Sequence, residues 1–303
     1  MRVHKFLSDT FSRFRLVFAA LLLVHAGAFA QEANKPAKEP TLEEFKAMRV
    51  VYSVPGMERV KVQKNLVYKK AGELELQMDV YAPPDLKRGE RRPAVVFVSG
   101  DAPWELLKDL KDWGVYVSWG QLVAASGFVG VTFNHRSTEK FTKIRDAASD
   151  IDDAIAYARS HADSLNIDPD RICLWAYSAG GPFLRTMLRE KPAFVRCIVG
   201  YYSMFGLPQG AATEDAVREF TVANYLGQNP KNVPPLMVVR AGRDVPLIND
   251  SADAFLREAV RQNLNIEFIN YVEGVHGFDV ENNTDRTREI IKRTLDFVKQ
   301  HLR

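Results

Sequence analysis

The stretch Arg171-Ile-Cys-Leu-Trp-Ala-Tyr-Ser-Ala-Gly-Gly-Pro182 decides how this chain is read. An apolar run of strand-forming residues stops abruptly at Ser178, and small residues crowd both sides of it. Such a pattern builds a nucleophile elbow: a buried strand ends, the backbone turns sharply, and a helix begins with the serine hydroxyl exposed at the apex. The residues two before and two after the serine must be small, because strand and helix pass close together there. Here they are Ala176 and Gly180, so the pattern is A-x-S-x-G rather than G-x-S-x-G. A small-x-Ser-x-Gly run also arises by chance in ordinary strand-to-helix loops, so the remainder of the chain must carry the reading.

Around the elbow, short apolar runs alternate with helical patterns. The runs are residues 94–99, 129–133, 172–177, 197–202, 236–240 and 266–271. Near-continuous apolar strands are what a parallel sheet covered on both faces requires. Between them, Ile144, Ala147, Ala148, Ile151, Ala154, Ile155 and Ala158 fall on one helical face, as do Ala252, Phe255, Leu256, Ala259 and Val260, and Ile291, Leu295, Val298 and Leu302. Asp150, Asp152 and Asp153 lie off the first of these stripes and read as a solvated face rather than a metal site. Earlier in the chain, Leu74, Leu76, Met78 and Val80 alternate with polar residues, and the turn at Ala71-Gly72 joins them to the run 67–69 as an antiparallel hairpin. The expected architecture is therefore a mostly parallel twisted α/β sheet with helices on both faces and an N-terminal antiparallel hairpin. Residues 45–303 form its domain. Residues 204–235, with Gly206, Pro208 and Gly210, break the alternation and read as a cap-like insertion.

The first 30 residues stand apart. Arg2, Lys5, Arg13 and Arg15 precede an apolar core at 16–24, and Ala28-Phe-Ala30 follows. This is the pattern of a secretory signal peptide cleaved after Ala30, leaving no stable membrane anchor and an exported, periplasmic or extracellular protein. Residues 31–44, polar and proline-bearing, read as a flexible tether. The signal holds four of the 41 basic and one of the 38 acidic residues, so 37 of each remain and the net charge of +3 belongs to the signal. No basic stripe suggests a nucleic-acid partner. The two cysteines, Cys173 and Cys197, could pair in an exported protein, but they fall on neighbouring strands, where side chains rarely reach disulfide geometry, and two buried thiols are the favoured reading.

A serine hydroxyl needs a base, and that base needs an orienting carboxylate. Of six histidines, His4 and His25 leave with the signal, while His161 and His301 lie away from strand ends. His276, in the glycine-flanked loop Val272-Glu-Gly-Val-His-Gly-Phe278 after the last strand, is the candidate base; His135 in Phe133-Asn-His-Arg136 is the alternative. Asp244, in Val239-Arg-Ala-Gly-Arg-Asp-Val-Pro246, follows another strand and is the candidate acid, with Asp250 and Asp279 as competitors. Catalytic groups in parallel sheets gather at the carboxyl ends of strands, where Ser178, Asp244 and His276 all fall. A developing oxyanion needs backbone N–H donors, one from Ala179 and a second from Ser99-Gly-Asp-Ala102, at Asp101 or Gly100. A carboxylate at Asp101 must then face away. The long segment 101–119 carries Trp104, Trp113, Tyr116 and Trp119, which either wall the pocket or pack an enlarged loop; Tyr177 is open to the same two readings.

Taken together, the chain resembles the α/β-hydrolase superfamily, and within it the dienelactone hydrolase-like and prolyl-oligopeptidase-like bacterial esterases. The resemblance rests on Met78-Asp-Val-Tyr-Ala-Pro-Pro84, on Asp168-Pro-Asp-Arg-Ile172 leading into the elbow, on Ala241-Gly-Arg-Asp244 and on Gly274-Val-His-Gly-Phe278, and spans roughly residues 60–303. It implies a Ser178-Asp244-His276 triad, an acyl-enzyme intermediate, a small-molecule ester substrate and no cofactor or metal. Trp104, Trp119 and Tyr177 are then the candidate substrate-binding residues. A peptidase and a non-catalytic binding protein on the same fold are the competing expectations.

Overall fold

The computed structural model describes residues 40–303, so the expected signal peptide and most of the tether lie outside the described residues. The tether's last part is ordered differently from expectation. A helix begins at Leu42 (Leu42–Ala47), because Thr41 and Glu44 form a reciprocal capping box that satisfies the first-turn amides.

Eight strands form one sheet: β1 (Lys61–Ala71), β2 (Leu74–Ala82), β3 (Arg92–Val98), β4 (Val129–Phe133), β5 (Ile167–Tyr177), β6 (Val195–Tyr201), β7 (Leu236–Ala241) and β8 (Ile266–Tyr271). Their spatial order is β1-β2-β4-β3-β5-β6-β7-β8. The β1–β2 hairpin and the β2–β4 pair are antiparallel, and every other pair is parallel. The α/β sheet with its N-terminal hairpin is thus the architecture read from the alternation of apolar runs and helical stripes.

Strand parity divides the core into two layers. Val96, Val98, Leu174, Ala176 and Val238 face one side, where they pack under the helices Ile144–Ser160, Arg185–Glu190 and Pro246–Arg261. Val95, Phe97, Cys173, Trp175, Tyr177, Val199 and Tyr201 face the other, under the helices Gly114–Ala125 and Asp285–His301. Cys173 and Cys197 are register partners across β5 and β6, fully buried and unpaired as thiols.

Three expectations need correcting here. The segment after β3 is not an enlarged loop but three short helical pieces, Trp104–Leu107, Leu110–Asp112 and Gly114–Ala125. The last is apolar nearly all round, so it carries no helical stripe to read. Residues 204–235 do not stand off from the core. Met204, Phe205, Phe220, Val222 and Leu226 are buried in the first layer, Phe205 stacks on Phe255 at 4.1 Å, and Glu219 pairs with Arg145 and Arg185. The Asp150 side is not a solvated face either. Asp150 is fully buried, chelated by the Arg136 guanidinium and paired with Lys69 at 2.7 Å. Burial pushes its carboxyl up, but those two cations outweigh it and hold it below the usual range. Among the described residues, no cluster of acidic, histidine or cysteine side chains has the arrangement of a metal site.

Candidate active site

β5 delivers Ser178 at its carboxyl end. The serine takes φ 51°, the left-handed region that a non-glycine residue adopts only under constraint. The constraint is visible: the Ser178 carbonyl accepts hydrogen bonds from the Met204 amide and from the Ser203 hydroxyl, both at 3.0 Å. The chain then coils into the tight turns of Ser178–Leu184 before the helix Arg185–Glu190. Gly180 is required by packing. A Cβ there would lie 2.5 Å from the Val98 carbonyl oxygen and 2.8 Å from that of Ser99. Any side chain would push the elbow off β3.

Asp244 lies three residues beyond β7 and His276 five beyond β8. The structure brings both to Ser178. His276 Nε2 is 3.0 Å from Ser178 Oγ, and His276 Nδ1 is 2.7 Å from Asp244 Oδ2. The Asp244 carboxylate is fully buried, and its other oxygen accepts the Val245 amide at 2.7 Å. The alternatives fall elsewhere. Asp250 sits exposed inside the helix Pro246–Arg261. His135 is fully buried, with Nδ1 against the Arg136 carbonyl at 2.8 Å and its ring edge-on to Phe183.

The loop after β3 closes over the serine. A Cβ on Gly100 would meet Ser178 Cβ at 3.0 Å, the Ala179 nitrogen at 3.2 Å and Ser178 Oγ at 3.3 Å, so the backbone at Gly100 passes directly beside the hydroxyl. The Asp101 carboxylate turns away from it. One oxygen accepts the Thr138 amide at 2.9 Å and the other accepts the Thr138 hydroxyl. Thr138 Oγ also accepts the Phe141 amide at 2.9 Å, anchoring Glu139, Lys140 and Phe141, three consecutive residues with positive φ. Thr138 escaped sequence reading, since nothing local marks a threonine 37 residues away as the clamp of this loop. Thr138→Val removes the hydroxyl donor to a carboxylate. A loss of about 1.5–3 kcal/mol in loop anchoring is expected, read as a roughly tenfold or larger fall in kcat/KM and a lowered melting temperature.

Two of the expected substrate-binding residues must be withdrawn. Tyr177 shares strand parity with Cys173 and Trp175 and so faces the second helical layer, where it is buried among Phe97, Trp119, Trp175 and Tyr201. Trp119 is fully buried in the same cluster, 4.5 Å from Trp175, with its indole N–H on Asp279 at 2.7 Å. Trp104 alone keeps partial exposure, packed between the main core and the small cluster of Leu107, Leu110 and Trp113. The parity of β5 carried the signal for Tyr177, because a residue directly before the elbow serine must point to the opposite face from Ala176.

Comparison with known proteins bears on the fold. Residues 78–191, a little over a third of the chain, match the BD-FAE family model. A probable isoprenylcysteine alpha-carbonyl methylesterase of Oryza sativa subsp. japonica is 27% identical over 192 residues, which cover 57% of this chain and 44% of the relative. A non-reducing polyketide synthase of Emericella nidulans is 27% identical over 130 residues, 41% of this chain and 5% of the synthase. The chain thus spans less than half the length of either curated relative. Among solved structures, a thermophilic esterase of Thermogutta terrifontis with propionate bound superposes with a TM-score of 0.62 at 19% identity, covering 80% of this chain and 96% of that one. A truncated carbohydrate esterase from gut microbiota superposes with a TM-score of 0.65 at 16% identity, covering 82% and 98%. The chain thus has the α/β-hydrolase fold, and several of the proteins it is similar to are described as esterases.

Proposed function

We propose that this protein is a serine esterase that cleaves small carboxylic esters through an acyl-enzyme. The observation that carries the reading is the continuous hydrogen-bonded chain from Ser178 Oγ to His276 Nε2 at 3.0 Å and from His276 Nδ1 to Asp244 Oδ2 at 2.7 Å. In this mechanism His276 takes the proton from Ser178 as its oxygen attacks the ester carbonyl. The buried Asp244 carboxylate holds the Nδ1–H tautomer and stabilises the imidazolium that forms. The tetrahedral oxyanion is received by the Ala179 amide and by an amide of the Gly100–Asp101 segment that passes beside Ser178. His276 then returns the proton to the leaving alcohol. A water, activated by the same imidazole, hydrolyses the acyl-serine. Trp104, which keeps partial exposure, is the aromatic proposed to contact the ester. The chemistry draws on protein groups alone, with no metal or cofactor.

The related Thermogutta terrifontis esterase has been captured with propionate and phosphorylated by paraoxon, which supports a short acyl group and an organophosphate-reactive serine here. The test is hydrolysis of a short-chain nitrophenyl ester alongside treatment with paraoxon and mass mapping of the adduct. Turnover with the adduct on Ser178 supports the reading. Absence of both sinks it in favour of a binding protein on this fold. We further propose export, from the pattern of residues 1–30. A purified native protein whose N-terminus is Gln31 is the expected result, and one retaining residues 1–30 refutes it.

A further inference from the structure

The Ser178, His276 and Asp244 chain leaves a second buried carboxylate unused. Asp279 lies three residues after His276, in the short helix Phe278–Glu281, and is fully buried. Gly277, at φ 74°, makes the turn that sends Asp279 back into the core behind the histidine. Both carboxylate oxygens are engaged by donors that lack another role. Oδ1 accepts the Tyr202 hydroxyl at 2.7 Å and Oδ2 accepts the Trp119 indole N–H at 2.7 Å. Its main-chain oxygen accepts the Val51 amide at 2.9 Å, fixing the backbone as well. Two hydrogen-bond donors, one on each oxygen, favour the carboxylate anion.

Tyr202 connects this carboxylate to the histidine. It follows β6 directly, at φ 37°, with its amide held by the Val239 carbonyl at 2.8 Å. Its ring centroid lies 4.7 Å from that of His276, at an interplanar angle of 57°. A phenol hydrogen-bonded to a carboxylate is a better neighbour for a cation than a free phenol, because the ring gains electron density.

We infer that Asp279, acting through Tyr202, is a positioning residue that stabilises the protonated form of His276, supplementing Asp244 from behind the ring. The inference rests on the triad reading above. Burial holds the Asp279 carboxyl above its usual range, and the Trp119 and Tyr202 donors offset that only in part. The groups that face His276 are Ser178 from the elbow, Asp244 from the loop after β7, Tyr202 from the end of β6, and Asp279 and Glu281 from the helix that follows it. Glu281 is exposed, so water screens its charge. Asp279 is fully buried, with its carboxylate held by Tyr202 and Trp119.

The sign of the effect follows. Removing a negative charge near an imidazole favours its neutral form. The acidic limb of the kcat/KM profile, set by protonation of His276, therefore moves to lower pH in Asp279→Asn, by about one unit. The plateau falls roughly tenfold, because the same charge stabilises the imidazolium of the transition state. Tyr202→Phe keeps the ring and deprives Asp279 of one donor, so its carboxylate protonates earlier on acidification. The limb then moves in the same direction by less. A merely structural role lowers thermal stability and leaves the limb in place.

The experiment is the kcat/KM–pH profile of a short-chain nitrophenyl ester for wild type, Asp279→Asn and Tyr202→Phe, with paraoxon labelling of each. A downward shift of the limb in the folded variants supports the inference. An unmoved limb in either folded variant overturns it, and labelling of Ser178 in that same variant shows that the triad reading survives. Wild type that neither turns over nor labels overturns both.

Discussion

Ser178→Ala lowers kcat for a short-chain nitrophenyl ester by about 10⁴- to 10⁶-fold and abolishes the paraoxon adduct. The substitution deletes one atom. His276 Nε2 loses its partner at 3.0 Å, while the hydrogen bond to Asp244 remains. The loss is large because the other two members act only through the serine, so the residual rate is that of the oxyanion donors acting on water. The fold should be indifferent to the change. Ser178 holds its left-handed backbone through its carbonyl, which accepts from Met204 and Ser203, and alanine keeps those bonds. The melting temperature is expected to stay within a few degrees, since no buried partner beyond His276 is stranded. A companion Ser178→Gly variant relieves the φ of 51° and gains about 1 kcal/mol of stability with the same loss of activity. Retained turnover in Ser178→Ala removes the nucleophile assignment. An unstable Ser178→Ala protein instead makes the hydroxyl part of the scaffold.

Much of this site could be read from the chain because its demands are local. The elbow needs small residues at fixed offsets from one serine, and Ala176 and Gly180 supply them where the Val98 carbonyl leaves no room for a Cβ at Gly180. The strand ends at Tyr177, Ala241 and Tyr271 are marked by apolar runs, so Ser178, Asp244 and His276 fall at one edge of the sheet by topology alone. What stayed hidden depends on contacts between distant segments. Trp119 is not marked as a core residue in the sequence, because its helix, Gly114–Ala125, is apolar on nearly every side and leaves no stripe from which its inward face can be read. The Asp150 pairing with Arg136 and Lys69 joins a helix to the loop after β4 and to the hairpin, so nothing in the local stripe of alanines and isoleucines marks the adjacent carboxylate as buried. Thr138 and Tyr202 are silent in sequence for the same reason. One clamps a loop 37 residues away and the other reaches a carboxylate 77 residues away.

Asp244→Asn is expected to lower kcat/KM by about 10⁴-fold while leaving the fold intact. Asparagine has the size of aspartate, and the site is fully buried, so packing survives. The hydrogen-bond arithmetic does not. The Asp244 carboxylate accepts twice, from the Val245 amide at 2.7 Å and from His276 Nδ1 at 2.7 Å. An amide has only one oxygen. If that oxygen stays on Val245, the NH₂ faces His276 and forces Nδ1 to be the acceptor. The proton then sits on Nε2, which can no longer receive the serine proton. If the amide flips, its NH₂ opposes the Val245 N–H inside a buried site, at a cost of about 1–3 kcal/mol for the unpaired donors. In either arrangement the negative charge opposite the imidazolium is gone. Paraoxon labelling should slow in parallel with turnover, since phosphorylation needs the same proton transfer. A variant that keeps wild-type kcat/KM would show that another carboxylate orients His276. Asp279, buried three residues along the chain and already tied to the histidine through Tyr202, is then the group to examine, and the double variant Asp244→Asn/Asp279→Asn would lose the activity that the single one retained.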